Sequence, residues 1–230
     1  MAFVIPLPER PSLAVSNGQR FPIRRVFCVG RNYAKHAAEM GASGERGKAP
    51  MIFSKPADAV VDASSGAEIP YPPLTEKLHH EIELAVAISS GGRDIPVAQA
   101  MGHVYGYGVA LDLTRRDLQE QAKAKGHPWN WAKGFDFSAP VGTLVPAADV
   151  GHPQAGRIWL EVDGALRQEG DLDDQIWSVA EVIAAISAHV ELKAGDLILT
   201  GTPSGVGPLV PGSECAGGID GVGELRVRVV

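Results

Sequence analysis

Twenty-seven glycines and seventeen prolines are spread through 230 residues without clustering. Turn formers at that density interrupt the chain too often for long helices and imply short strands joined by tight turns. Asn17-Gly18, between the Leu13-to-Val15 and Phe21-to-Ile23 runs, predicts one hairpin. Asp163-Gly164, between Ile158-to-Val162 and Ala165-to-Arg167, predicts another, since both dipeptides accept the positive φ of a two-residue turn. Three segments carry helix signals instead. Ser178-Val179-Ala180-Glu181 is a capping box that opens an apolar-periodic stretch through His189. Thr114 predicts the start of a second helix, with Asp117 at its third position and Gly126 and Pro128 as the stop, and a short third helix is expected from about Tyr33 to Met40. Helices and strands do not alternate in βαβ order, so the fold class is α+β, a mixed β roll. Residues 1–22 read as a small N-terminal hairpin or extension and residues 23–230 as the main body.

A chain that is 45% apolar and 21% charged builds its core without disulfides or a structural metal. Cys28 and Cys215 read as unpaired thiols. A net charge of −6 with no basic block argues against a nucleic-acid partner, and no apolar run approaches the roughly 18 residues of a membrane span. With no charged-then-apolar leader, the expectation is a reduced, cytoplasmic protein.

The chemistry concentrates in acidic positions. From Glu81 to Ile88 the chain alternates, with Ile82, Leu84, Val86 and Ile88 on one strand face and Glu81 and Glu83 on the other. Alone, this equally describes a half-buried strand with a solvated polar face. Ala85 and Ala87 complete the Glu face, however, and make it small and closed. Like charges at that spacing repel, and a divalent cation is the usual remedy. A second alternation, Gly106, Gly108, Ala110, Asp112, forms a glycine face open to close approach by backbone or ligand, with Asp112 at the strand end. Three hard oxygen ligands without a cysteine or histidine pattern suit Mg²⁺ or Mn²⁺. His79 and His80 face opposite ways, which disfavours a zinc pair.

The order Gly30-Arg31-Asn32-Tyr33, His36, Glu39, then His80-Glu81-Ile82-Glu83, Leu111-Asp112-Leu113-Thr114 and Leu199-Thr200-Gly201-Thr202-Pro203 resembles the fumarylacetoacetate hydrolase superfamily. Arg116-Asp117-Leu118-Gln119, Gly126-His127-Pro128-Trp129, Trp131-Ala132-Lys133-Gly134 and the run from Thr202 to Pro208 look like the short, single-domain acylpyruvate and fumarylpyruvate hydrolases. The resemblance implies the mixed β-sandwich roll of that superfamily's C-terminal domain. It also implies a homodimer, Mg²⁺ or Mn²⁺ on Glu81, Glu83 and Asp112, and hydrolysis of a carbon–carbon bond in a 2,4-diketo acid. Fumarylpyruvate, from gentisate-type aromatic catabolism, is the first substrate expected. Oxaloacetate decarboxylases and related keto-acid isomerases and hydratases share the fold, so oxaloacetate decarboxylation stands as the alternative, ahead of a non-enzymatic metal-binding protein.

Individual roles follow from joining the resemblance to the residues. His36 and Glu39, three apart, share one helix face, so Glu39 can orient His36 as the base that activates water, although an exposed helix with an incidental ion pair has the same pattern. Arg116 and Gln119 are likewise three apart just beyond Asp112. They can bind a substrate carboxylate and a keto oxygen, or form a solvated helix face. Lys133, in an aromatic segment, either stabilises enolate charge, as the resemblance implies, or pairs with a carboxylate such as Asp136. The hydroxyl or N–H of Thr202 can hold the substrate carboxylate. The small, polar stretch from Gly41 to Lys48 reads as a flexible connection that lets the His36–Glu39 helix act as a lid.

Overall fold

The computed structural model describes residues 3–230, so Met1 and Ala2 of the expected extension lie outside the described residues. Two main sheets form the body. The larger runs in the order Ile52–Lys55, Arg25–Val29, Asp196–Leu199, Ile82–Ile88, Val104–Leu111, Ala139–Val141, Val60–Asp62, with Val145–Pro146 also pairing on Val104–Leu111. The second is Ala165–Asp171, Arg157–Val162, Glu214–Ile219, Gly223–Val229, Ala67–Ile69. Parallel pairs, such as Asp196–Leu199 on Arg25–Val29, mix with antiparallel hairpins. The architecture is therefore the expected α+β sandwich roll.

The strand Ile82–Ile88 is buried along its whole length because both of its faces are covered. Ile82, Leu84, Val86 and Ile88 enter the core between the two sheets, where they join Ile158, Leu160, Leu225 and Val227. Helix Val179–His189 closes that core with Val182, Ile183 and Ile186. Ala85 and Ala87 face a second cluster built with Leu13, Val15, Phe21 and Leu144. The N-terminal hairpin, Ser12–Ala14 with Arg20–Pro22, thus lays its apolar side on the outer face of the large sheet. The sequence pattern was that of a strand with one polar face, but the alanines leave room for a layer above it.

Local signals match at the Asp163-Gly164 turn, where both residues have positive φ and Val162 faces Ala165. Ser178 makes the capping box with Glu181. Two expectations shift. At Asn17-Gly18 only Gly18 has positive φ, and Gly18 N–H bonds back to Val15, so a longer loop replaces the two-residue turn. The helix expected from Thr114 begins at Arg116, because Thr114–Arg115 pairs as a short strand with Leu78–His80, Thr114 opposite His79. Tertiary pairing overrides the cap signal there, while Gly126 ends the helix in the left-handed conformation as expected.

The glycine face of Val104–Leu111 admits backbone rather than ligand: a Cβ on Gly106 would come 2.2 Å from the Val145 carbonyl oxygen. Gly106→Ala is expected to lower stability by about 1–3 kcal/mol through overpacking, read as a lower denaturant midpoint. An unchanged midpoint would show that Val145–Pro146 yields freely.

Candidate metal centre and adjoining site

The carboxylates converge where the large sheet meets a three-stranded ribbon of Thr114–Arg115, Leu78–His80 and Gly207–Leu209. Glu81 sits at the break between Leu78–His80 and Ile82–Ile88, and its carbonyl accepts the Asp112 N–H at the end of the neighbouring strand. That bond brings the two acidic positions side by side. Glu81, Glu83 and Asp112 are all buried, and each offers an oxygen within 4.8 Å of the others'.

Three cations face this cluster. Lys133 Nζ bridges Glu81 Oε2 and Asp112 Oδ2, at 2.7 Å each. Arg116 pairs with Glu81 Oε1 and also donates to Gln119. Lys55 Nζ stands 2.8 Å from Asp112 Oδ1, yet its directed hydrogen bonds go to the carbonyls of Leu113 and Lys133, which leaves Oδ1 without one. Burial alone would raise the Glu81 carboxyl, but Lys133 and Arg116 hold it well below the usual carboxylate range. Burial would likewise lower Lys133, and Asp112 and Glu81 outweigh it, so the ammonium is held protonated.

Glu83 differs. Its Oε2 accepts the Gly201 N–H at 2.7 Å, and among the described residues no cation lies within ion-pair distance. Burial, then the charges of Asp112 and Glu81, push its pKa well above the ordinary value. A carboxylate lacking a cation beside an under-bonded Asp112 oxygen is a donor set that fits a hard divalent ion of the Mg²⁺ or Mn²⁺ kind. Among the described residues no other cluster of histidine, cysteine and carboxylate ligands forms, and His80 is engaged by Gln168.

The remaining predicted residues surround this centre. His36 is buried on helix Ala34–Glu39, with Nδ1 3.2 Å from Glu39 Oε2. Burial lowers the His36 pKa below 6.5, against the opposing charges of Glu81 and Glu39. Glu39 in turn accepts the Gly205 N–H from the loop after Asp196–Leu199. Thr202 is buried, and its hydroxyl accepts from Gln168 Nε2 at 2.8 Å. Arg116 and Gln119 are buried rather than solvated, and Lys133 pairs with Glu81 and Asp112 rather than with Asp136. The segment 41–48 is irregular, as the sequence indicates, yet it is tethered: Arg46 lies 4.0 Å over the Trp177 ring and 2.6 Å from Glu181. Cys28, beneath the carboxylates, is fully buried, and burial lifts its pKa so far that it has no thiolate to offer.

Three participants escaped the sequence reading. Lys55 ends an edge strand and would pass for a solvated residue. Gln168 comes from the other sheet, yet it accepts the Ile82 N–H and bonds His80, Thr202 and Pro203. Asn32 is fully buried and ties Thr200 to Trp177. Only the Gly-Arg-Asn-Tyr motif hinted at Asn32, and nothing local marked the other two.

Residues 25–230 match the fumarylacetoacetate (FAA) hydrolase C-terminal family, and the chain belongs to it. Fumarylpyruvate hydrolase from Pseudomonas aeruginosa, solved in complex with Mn²⁺ and pyruvate, superposes with a TM-score of 0.97 at 52% identity, covering 100% of this chain and 99% of that one. The mitochondrial oxaloacetate tautomerase of Mus musculus is 45% identical over 206 residues, 90% of this chain and 91% of that protein. Its Arabidopsis thaliana counterpart is 45% identical over 205 residues, 89% and 90% of the two chains. The protein is thus an FAA hydrolase-family enzyme with a site for a divalent cation.

The unpaired Glu83 makes a prediction about the metal-free protein. At pH above the raised pKa of Glu83, Glu83→Gln removes a like charge beside Glu81 and Asp112 and is expected to raise the melting temperature of the chelator-treated protein. Added Mn²⁺ should raise the melting temperature of the parent much more than that of the variant, because a ligand bound only to the folded state stabilises it. A destabilised variant that still responds fully to Mn²⁺ would make Glu83 structural.

Proposed function

We propose that this protein is a metal-dependent acylpyruvate hydrolase, with fumarylpyruvate as its substrate and fumarate and pyruvate as products. The observation that carries this reading is the buried His36, paired with the exposed Glu39 and feeling the charge of Glu81 in the centre that Lys133 and the three carboxylates form. A metal-binding module has no use for a desolvated histidine beside its cation. The Pseudomonas structure, named for this activity, adds weight.

Glu81, Glu83 and Asp112 would hold Mg²⁺ or Mn²⁺, and the ion supplies Lewis acidity and a template for the 2-oxo-acid end of the substrate. Arg116, Gln119 and Thr202 bind the carboxylate end. His36, neutral at pH 7, takes a proton from water, and Glu39 fixes the ring through Nδ1 and balances the charge gained. Hydroxide then adds to the distal carbonyl, and the bond between that carbon and the methylene breaks. Its electron pair leaves with the pyruvate fragment as an enolate, opposed by the ammonium of Lys133, and a proton returned to carbon completes pyruvate.

A second reading is oxaloacetate chemistry, favoured by the mouse and plant relatives, which are oxaloacetate tautomerases. Tautomerisation or decarboxylation of oxaloacetate uses the same chelated 2-oxo acid but needs no activated water. The two readings therefore separate at His36. Assayed side by side with Mg²⁺ and Mn²⁺, His36→Ala should lose roughly 10²- to 10⁴-fold in acylpyruvate hydrolysis and far less in any oxaloacetate turnover. A wild-type rate on acylpyruvates would place the base elsewhere. We extend the reading to a homodimeric, cytoplasmic enzyme of aromatic-ring breakdown, for which sedimentation of the purified protein and fractionation of its host are the checks.

The pH profile tests the dyad independently. Because burial holds the His36 pKa below 6.5, the acid limb of kcat/KM is expected below that value, with activity lost as pH falls through it. Glu39→Gln removes a charge that raises the pKa, so it should move this limb to lower pH while reducing the plateau. A limb that stays in place would sever Glu39 from the base.

A further inference from the structure

Beside Lys133 the structure opens a cavity of about 460 Å³ walled by Met51, Phe53, Trp129 and Asn130, with Lys133 itself at its inner end. Since Lys133 also bridges Glu81 and Asp112, the cavity leads directly from the reacting centre. No acidic residue lines it. Two cations stand near this cavity without lining it. Lys123, half-buried on helix Arg116–Lys125, holds Nζ 5.5 Å from the centroid of the Trp129 ring. Arg31 follows Gly30, whose backbone packs so closely on Met51 that a Cβ would meet its Cε at 2.2 Å, with Trp129 next nearest at 3.6 Å. That contact sets the backbone before Arg31 against the Met51 wall, and the charge of Arg31 is felt at Lys123.

Among the described residues neither Lys123 nor Arg31 has a carboxylate within ion-pair distance, a trait they share with other cations such as Lys35 and Arg167; what sets Lys123 apart is its place against Trp129, a wall of the cavity. Burial, then the like charges of Arg116 and Arg31, lower the Lys123 pKa. A half-buried ammonium beside Trp129 that feels the charge of the solvent-exposed Arg31 is a place where an anion would be stabilised.

We infer that Arg31 and Lys123, set against Trp129, form the subsite for a second carboxylate at the distal end of the substrate, so that the site selects dianionic acylpyruvates over those ending in a methyl group. The inference rests on the proposed hydrolase reading and assigns the end of the substrate that the metal centre does not touch. Phe53 and Trp129 would pack on the flat, unsaturated chain between the two ends, and the two cations would grip the terminal charge.

The test compares fumarylpyruvate with acetylpyruvate, which lacks the distal carboxylate, on the Mn²⁺-loaded protein. Lys123→Met and Arg31→Gln should each cut the ratio of kcat/KM for fumarylpyruvate over acetylpyruvate by about 10- to 100-fold, the worth of a charge-assisted hydrogen bond. Lys123→Arg, which keeps the charge, should hold most of the ratio. A ratio unmoved in both charge-removing variants overturns the subsite while leaving the hydrolase reading intact. Calorimetry with fumarate and crotonate, a dianion and a monoanion of the same length, decides the point without turnover. The wild type should prefer fumarate and Lys123→Met should lose that preference, whereas equal wild-type affinities would refute the subsite. A wild type that cleaves neither acylpyruvate but prefers fumarate would sink the hydrolase reading and keep the subsite.

Discussion

Three carboxylates buried with oxygens within 4.8 Å of one another repel by about 3 kcal/mol or more per pair at an effective dielectric of ~20. The fold answers with charge rather than solvent. Lys133 and Arg116 come from the segment after Asp112, and Lys55 reaches in from the edge of the sheet. Their placement determines much of the surrounding architecture. The short Thr114–Arg115 strand must pair with Leu78–His80 for Arg116 to reach Glu81, and helix Asn130–Lys133 must turn Lys133 inward while Trp131 stays exposed. Compensation is complete at Glu81 and incomplete at Glu83. An active centre that must accept a dication cannot neutralise itself entirely, because every internal cation competes for the same oxygens.

Local signals in the sequence foretold elements whose cause is local. The capping box of Ser178, the Asp163-Gly164 turn and the left-handed Gly126 each arise from backbone groups a few residues apart, so adjacent side chains suffice to specify them. The alternation through Glu81 and Glu83 was legible for the same reason, as was the pairing of His36 with Glu39. Lys55 and Gln168 were not legible. Gln168 lies 86 positions from the Ile82 amide it satisfies, and only sandwich closure makes its burial favourable. Thr114 shows the same limit from the other side, for its cap signal is real but the strand opposite His79 wins. Metal-ligand type could be argued from residue chemistry, whereas the nearness of Arg31 to Lys123 depends on how a helix and a loop meet.

The dyad adds a mechanical link. Helix Ala34–Glu39 has only six residues and could not stand alone in water. It is held at and beyond its C-terminal end: Glu39 takes the Gly205 N–H, and the chain beyond it is fastened by Arg46 to Trp177 and Glu181. Gly205 belongs to the loop that also carries Gly201 and Thr202, which touch Glu83 and Gln168. The proposed base is therefore positioned by the same loop that contacts Glu83, a proposed metal ligand, and a displacement of that loop moves both. A short helix latched by exposed contacts can open at modest cost, which would suit the proposed role of admitting substrate and then excluding water.

Family relatives named for hydrolysis and for tautomerisation share this fold at 45–52% identity. The geometry indicates how one scaffold supports both. The carboxylate-bearing end of the site is built from sheet strands and buried ion pairs, and changing it would leave charges uncompensated in the core. The opposite end is built from the helix that carries Lys123, the Phe53–Trp129 wall and side chains without partners, where substitution costs the fold little. Chemistry common to 2-oxo acids thus resides where the fold is rigid. On the proposed reading, the choice of what lies beyond the scissile bond, and whether water is activated against it, resides in the groups near the Phe53–Trp129 wall and the latched helix.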